Sequence, residues 1–353
     1  MKVRRGKISI LALLIVTVVT IFLVFLELNS KTYVEAPYYR EKIAAAELTR
    51  QCFYAVRAAL DNNEVAIDRI NDPNETGLIG VQYSQITTER GDLTAKLTST
   101  NPNFAALIVQ YAKTARVRKH DTVAISFTGS FPALNIAVLS VVKTLGLEPI
   151  IITSVSSSMW GANRPGFTYL DMERTLRERG LIPFRTQSAS IGGEDDVGRG
   201  LSPQGREMIM SAIVRNGVAM VEGTRIEETI TQRRALYTGT IKLFINVGGG
   251  AAALLGADIP SGFIAPRQIH TGRGLIAQFS RAGIPVVNLS DINHLAQTHN
   301  LPIAPIPMPQ VGKGSLYFEY RYSVGQAVLY LAILCIVLFV FLKFDIDYYL
   351  KRR

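Results

Sequence analysis

The sequence predicts an α/β fold: a doubly wound, mostly parallel sheet of the Rossmann-like, three-layer kind, with a transmembrane helix on either flank. Three observations lead there. From residue 121 onward, short and near-continuous apolar runs alternate with longer segments of helical period, the rhythm of strands buried on both faces and joined by crossover helices. Two further apolar runs, at 8–28 and 324–342, are long enough for a helix to cross a hydrocarbon core of about 30 Å. The clearest unit spans 121–148 and organises the rest: a strand over 122–127, a turn at Thr128, Gly129 and Ser130, and a helix over 131–145. Ser130 is expected to cap that helix, Pro132 is tolerated in its first turn, and Gly146 stands where a left-handed C-cap belongs. Such a turn leaves N–H groups at the positive end of a helix dipole, although the same turn closes βαβ units that bind nothing.

In chain order, the first apolar run is longer than a signal peptide core and lacks a small-x-small cleavage site, so it reads as an uncleaved anchor. Lys2, Arg4, Arg5 and Lys7 precede it, and Lys343, Lys351, Arg352 and Arg353 follow the second run. Positive flanks stay in the cytoplasm, which places 1–7 and 343–353 inside as tails and 29–323 outside. Tyr317, Phe318, Tyr320 and Tyr322 are expected to form an aromatic belt at the outer leaflet. A helix is expected over 37–70, from Ile43, Ala44, Leu48, Cys52, Ala55, Val56 and Ala59 at spacings of three and four. A short strand at 78–81, a polar loop at 82–101 and a helix over 104–117 complete a stalk or cap covering 29–120. The α/β domain, 121–300, continues with helices at 169–179, 203–216, 226–237, 271–282 and 292–297. Its strands are expected at 150–153, 181–186, 218–221, 241–247 and 285–289. Pro302, Pro305, Pro307 and Pro309 make 301–323 an extended connector to the second span.

The 353 residues carry 38 Lys and Arg against 28 Asp and Glu. The tails and spans hold eight basic and three acidic residues, leaving the outer part with 30 against 25, about +5. A mildly basic outer domain suits a polyanion or anionic headgroups, and equally a plain solvated surface; nucleic acid is not expected in that compartment. Cys52 and Cys335 fall on opposite sides of that division and cannot pair, and no Cys/His spacing resembles a metal site. Cys52 reads as a small buried hydrophobe on a helix.

In an open parallel sheet, ligands bind beyond the carboxyl ends of the strands. The loops leaving those ends are polar and glycine-rich, and supply the candidate ligand-binding residues: Thr128, Gly129, Ser130 and Asn135; Ser154, Ser156, Trp160 and Asn163; Asn246, Gly248, Gly249 and Gly250. The last loop matches G-x-G-x-x-A, but lacks the acidic ribose partner, so no dinucleotide and no other cofactor is expected; a glycine nest or a packing turn fits it better. Glu194, Asp195 and Asp196 offer a cation site, a general acid or base, or a solvated acidic loop. Arg267 and Arg273 offer guanidinium forks to carboxylates. For nucleophilic chemistry there is no G-x-S-x-G elbow; Ser130, His270 and Asp196 can be drawn as a triad, with Asp195 as a further acid, but no spacing requires it. No metal is expected.

The chain resembles the poly-gamma-glutamate system proteins of bacteria. The likeness rests on the N-terminal anchor, Ser126-Phe-Thr-Gly-Ser-Phe-Pro-Ala-Leu-Asn135, Ser158-Met-Trp-Gly-Ala-Asn163, Phe244-Ile-Asn-Val-Gly-Gly-Gly250 and the C-terminal span. The resemblance implies a membrane-anchored accessory component of poly-gamma-glutamate synthesis or export, beside the membrane subunits of the polymer synthase. It carries over no catalytic residue. Three roles stay open: an outer domain that binds or guides the anionic polymer, an amide hydrolase or transferase acting on it, and a structural subunit of the synthase.

Overall fold

A computed structural model describes residues 10–62 and 66–344. In chain order the elements are α1 (Ile10–Leu28), β1 (Thr32–Glu35), α2 (Tyr39–Asn62), α3 (Leu93–Ser99), α4 (Phe104–Thr114), β2 (Thr122–Thr128), α5 (Pro132–Leu145), β3 (Glu148–Ser154), β4 (Asn163–Arg164), β5 (Phe167–Thr168), α6 (Tyr169–Glu178), β6 (Ser188–Ser190), α7 (Pro203–Arg215), β7 (Ala219–Met220), α8 (Ile226–Leu236), β8 (Ile241–Val247), α9 (Ala251–Leu254), β9 (Gly262–Ile264), α10 (Leu275–Arg281), β10 (Val286–Leu289), α11 (Ile292–Thr298), β11 (Phe318–Arg321) and α12 (Val324–Lys343). They fall into two compact units, divided at Ala36 and Phe318.

The larger unit, Pro37–Tyr317, is a mixed α/β body on a seven-stranded sheet ordered β7-β6-β3-β2-β8-β10-β9. Every neighbouring pair is parallel except β10 with β9. From β2 the chain steps outward through β3, β6 and β7, then returns to place β8 on the other side of β2. Crossovers therefore leave β2 and β8 in opposite directions, and their carboxyl ends open a gap between the diverging connections. Alternation along the strands feeds two cores. Ala124, Phe244 and Val286 pack with Ile226, Ile230 and Phe279 of α8 and α10, whereas Phe127, three residues on from Ala124, meets Tyr169 of α6 edge-on at 5.6 Å. Caps set the helix starts: Asp92 accepts from Thr94 N, Ser202 from Gly205 N and Asp291 from His294 N.

Strand β8 and helix α5 lie where the periodicity puts them, and Gly146 closes α5 at φ +64°. Elsewhere local hydrogen bonding moves the boundaries. The helix expected over 37–70 has ended by 66, because the Asp68 carboxylate accepts from Ile70 N and Asn71 N and holds a turn instead. Segment 78–81 joins no strand; Gly80 N and Val81 O bond to Trp160. The supposed loop 82–101 contains α3. No strand forms at 181–186, where Pro183 lacks an N–H and Thr186 N donates to the Glu173 carboxylate at 2.7 Å; pairing moves to Ser188–Ser190. Ser130 does not cap α5: Phe131 holds that position without a side-chain bond. Helix α10 starts at Leu275 rather than 271, after Gly272 at φ +90°.

The proline-rich connector is not a free tether up to Tyr317. Asn74 donates to Pro305 O, Asn103 to Gln310 O and Lys42 Nζ to Leu316 O. Tyr317 is fully buried, its hydroxyl 2.6 Å from Asn103 Oδ1, and so leaves the expected aromatic belt. In the smaller unit, β1 and β11 form an antiparallel pair in which Tyr33 stacks on Phe318 at 4.9 Å. Helices α1 and α12, 19 and 20 residues long, lie against each other and are long and apolar enough to cross a membrane. The basic tail residues at 2–7 and 351–353, and the first two residues of the span expected at 8–28, lie outside the described residues.

Candidate site at the carboxyl ends of the strands

The turn after β2, the loops after β3 and β6, the glycines after β8 and the start of α3 surround a cleft of about 500 Å³. Two glycines make the convergence possible. A Cβ at Gly129 would stand 2.6 Å from Val155 O and 2.9 Å from Ser156 O, and Gly248, at φ +87°, would put one 2.4 Å from Thr128 Oγ1. Thr128 ties the two strand ends by donating to Val247 O at 3.2 Å, and Asn135 Nδ2 returns from α5 to Thr128 O at 2.8 Å.

On the floor lies Lys96 of α3, only 2% exposed. Its Nζ is 2.7 Å from Ser158 Oγ, bonds to Ser130 O and sits 4.0 Å from the Phe131 ring centroid. Ser130 Oγ in turn accepts from Ser158 N at 3.1 Å. Burial pushes the Lys96 ammonium down to about 7, against the opposing pull of Glu89 and Asp92. Beside it the cleft is lined by Ser130 and by Phe131, the N-cap of α5, a 14-residue helix with a proline in its first turn. Within the described residues Ala133 N and Leu134 N have no backbone acceptor, as expected of a helix start. The floor is thus hydroxylic and positive; Glu89, Asp92 and Glu194 line an acidic rim.

Asp196 also borders the cleft but is committed. Arg233 of α8, fully buried, reaches it with Nε–Oδ2 at 2.7 Å, and the Ser154 and Ser190 hydroxyls donate to Oδ1 at 2.7 and 2.6 Å. Arg233 Nη2 donates to the same two hydroxyls. This network joins α8 to the ends of β3 and β6, and removes Asp196 and Ser154 from free acid–base duty. Asp195 pairs with Arg199 at 2.7 Å.

The other sequence candidates divide by place. Ser156, Gly249 and Gly250 line the cleft. Asn246 lies beneath it, its Nδ2 bonded to Gly248 O and Asn288 Oδ1. Asn163 is structural, with Oδ1 taking Val81 N and Nδ2 donating to Val81 O and Thr87 Oγ1; Trp160, at φ +58°, holds the same segment. The triad is not assembled. Because β9 runs antiparallel, Ile264 pairs with Val286 at the start of β10, so the chain beyond it, carrying Arg267 and His270, leaves from the opposite end of the sheet. Arg267 N bonds there to Ser280 O near the end of α10. Arg273 is exposed and paired with Glu227 at 3.1 Å.

Sequence reasoning missed Lys96 and Arg233. The cap Asp92 could have revealed α3, but nothing in a polar segment marks one lysine as buried. Among the described residues no three His, Cys, Asp or Glu side chains gather as a metal set requires. Two larger clefts, of about 560 and 700 Å³, open elsewhere. In the first, Arg50 pairs with Glu47 and Arg57 with Asp61 and Glu75; in the second, Arg174 pairs with Asp171, while Arg164 and Arg179 form no salt bridge among the described residues. The strand-end cleft is the better candidate because it joins a buried cation to the turn that enters α5 at the point where crossovers diverge.

Comparison with protein-family models, with curated proteins and with solved structures gives no match.

Proposed function

We propose that the chain is a two-pass membrane component of poly-gamma-glutamate synthesis or export, and that its α/β domain holds a carboxylate of the polymer in the strand-end cleft. One observation carries the reading: the buried Lys96 ammonium shares one floor with the Ser130 and Ser158 hydroxyls and with Phe131, the N-cap of α5, at the divergence of β2 and β8. A buried cation beside hydroxyl groups suits a carboxylate, whose two oxygens take several hydrogen bonds, the one from the cation charge-assisted. The strand order fits a doubly wound, Rossmann-like sheet, in which that gap is the customary ligand position. The acidic rim of Glu89, Asp92 and Glu194 repels a second carboxylate, so the cleft suits a chain end or a single residue rather than a long polyanion track. The family resemblance supplies the polymer's identity. Two apolar terminal helices and the basic tails support anchoring with both termini in the cytoplasm and the domain outside.

The test is calorimetric titration of the full chain, in lipid nanodiscs, with oligo-gamma-glutamate. Saturable binding is expected, weakening as salt rises and as pH rises through about 7, where Lys96 loses its proton. Loss of one charge-assisted bond in Lys96→Met is expected to cost about tenfold or more in affinity at pH 6. No saturable binding at low salt, or binding indifferent to Lys96→Met, would refute the reading.

A further inference from the structure

We infer that Ser158 and Lys96 form a nucleophile–base pair that cleaves an amide bond held in the strand-end cleft. The site rests on geometry alone; the choice of a gamma-glutamyl amide as substrate rests on the function proposed above. Ser158 Oγ lies 2.7 Å from Lys96 Nζ, within proton-transfer reach, and both side chains line the cleft. A neutral amine has one lone pair and two hydrogens. Nζ donates to the Ser130 carbonyl and to Ser158 Oγ; once neutral it can keep the bond to the carbonyl, which only accepts, and turn its lone pair to the Ser158 hydroxyl. The Phe131 ring, 4.0 Å away, favours the ammonium that forms during reaction. No carboxylate forms a salt bridge with Lys96 among the described residues, and burial brings its proton loss to about 7, the range a general base needs.

The step balances as hydrolysis. As Ser158 Oγ adds to the amide carbon, its proton passes to Lys96 Nζ, and the carbonyl oxygen takes negative charge. Collapse breaks the C–N bond, and the Lys96 ammonium returns the proton to the departing amine. Water then adds to the Ser158 ester and gives a proton to Lys96. The C–O bond breaks, Ser158 recovers its hydrogen, and the products are a carboxylic acid and an amine. Ser130 is a positioning residue, fixing Ser158 through its backbone N–H and Lys96 through its own carbonyl.

The test treats the full chain in nanodiscs with a fluorophosphonate and maps the modified serine by mass spectrometry. Ser158 is expected to be the site, with a rate rising about tenfold from pH 6 to pH 8 as a base near 7 is released. Lys96→Met is expected to lower the rate about 100-fold or more and to flatten the pH profile, which a merely structural lysine would not do. Site mapping in the unaltered chain needs no variant to fold. Modification elsewhere or none, or a pH profile that survives Lys96→Met, overturns the pair. Oligo-gamma-glutamate that binds the unlabelled chain yet stays full length at pH 8 overturns the cleavage of a gamma-glutamyl amide. The two readings fail separately: binding without labelling removes the pair and leaves the binding site, whereas labelling without polyglutamate binding removes the polymer and leaves the pair. Their pH trends also run in opposite senses, binding strengthening and acylation slowing as pH falls.

Discussion

Lys96, Glu173 and Arg233 are side chains whose ordinary place is the surface, and each is buried for a reason that can be measured. Lys96 loses its proton near 7 in the folded chain and near 10.5 when unfolded, so between those values the unfolded state binds more protons and stability rises with pH, by up to about 1.4 kcal/mol per unit. From pH 7 to 9 the unaltered protein is therefore expected to gain about 2 kcal/mol over Lys96→Met; parallel urea-denaturation stabilities of the two would contradict this. Glu173 has the opposite sign. Burial raises its carboxyl to about 7 in spite of bonds from Thr186 N and Oγ1, so its contribution falls as pH rises from about 4.5 to 7, and Glu173→Gln is expected to remove that slope. Arg233→Met strands the buried Asp196 carboxylate and is expected to cost about 3–5 kcal/mol in chemical denaturation. A loss below about 1 kcal/mol would mean the Ser154 and Ser190 hydroxyls suffice for that carboxylate.

At the scale of elements, the turn between β2 and α5 decides whether the cleft exists. Alanine at Gly129 meets backbone carbonyls of Val155 and Ser156, which cannot swing aside, whereas alanine at Gly146 meets the flexible chain of Lys119. Gly129→Ala is expected to destabilise by about 1–3 kcal/mol and to abolish ligand binding, while Gly146→Ala costs about 1 kcal/mol and leaves binding intact; equal effects on binding would contradict the assignment. The legibility of the sequence follows the same physics. Strand β8 and helix α5 could be read because their apolar spacing is imposed by burial on both faces. Strand β6 could not, since Ser188-Ala-Ser190 has little apolar side chain to show and its alignment is set by Glu173 capturing Thr186 N. Thr128, Gly129 and Gly248–Gly250 were legible as a rim because close approach demands small residues. Lys96 was not, because a single buried cation leaves no periodic trace. Arg267 and His270 can be drawn with the strand-end loops from sequence because nothing in it announces that β9 runs antiparallel and carries them to the other end of the sheet.

For the whole molecule, the compact unit Pro37–Tyr317 takes in both the segment read as a stalk and most of the proline-rich connector, so the domain begins and ends within a few residues of the paired strands β1 and β11. On the proposed topology that unit faces outward. An impermeant maleimide on intact cells is expected to modify Tyr83→Cys, a 71% exposed position, in a chain carrying Cys335→Ala, since Cys52 is fully buried; modification only after lysis would reverse the sidedness. The proposed polymer site is tested most directly by hydrogen exchange on the full chain in nanodiscs, with and without oligo-gamma-glutamate. Slowed exchange at 88–96, 128–135 and 156–162, with no change at the arginine-lined cleft around Arg50 and Arg57, is the expected result. Protection around Arg50 and Arg57 with the strand-end loops unaffected would contradict the assignment of function to the floor built by Lys96, Ser130 and Ser158.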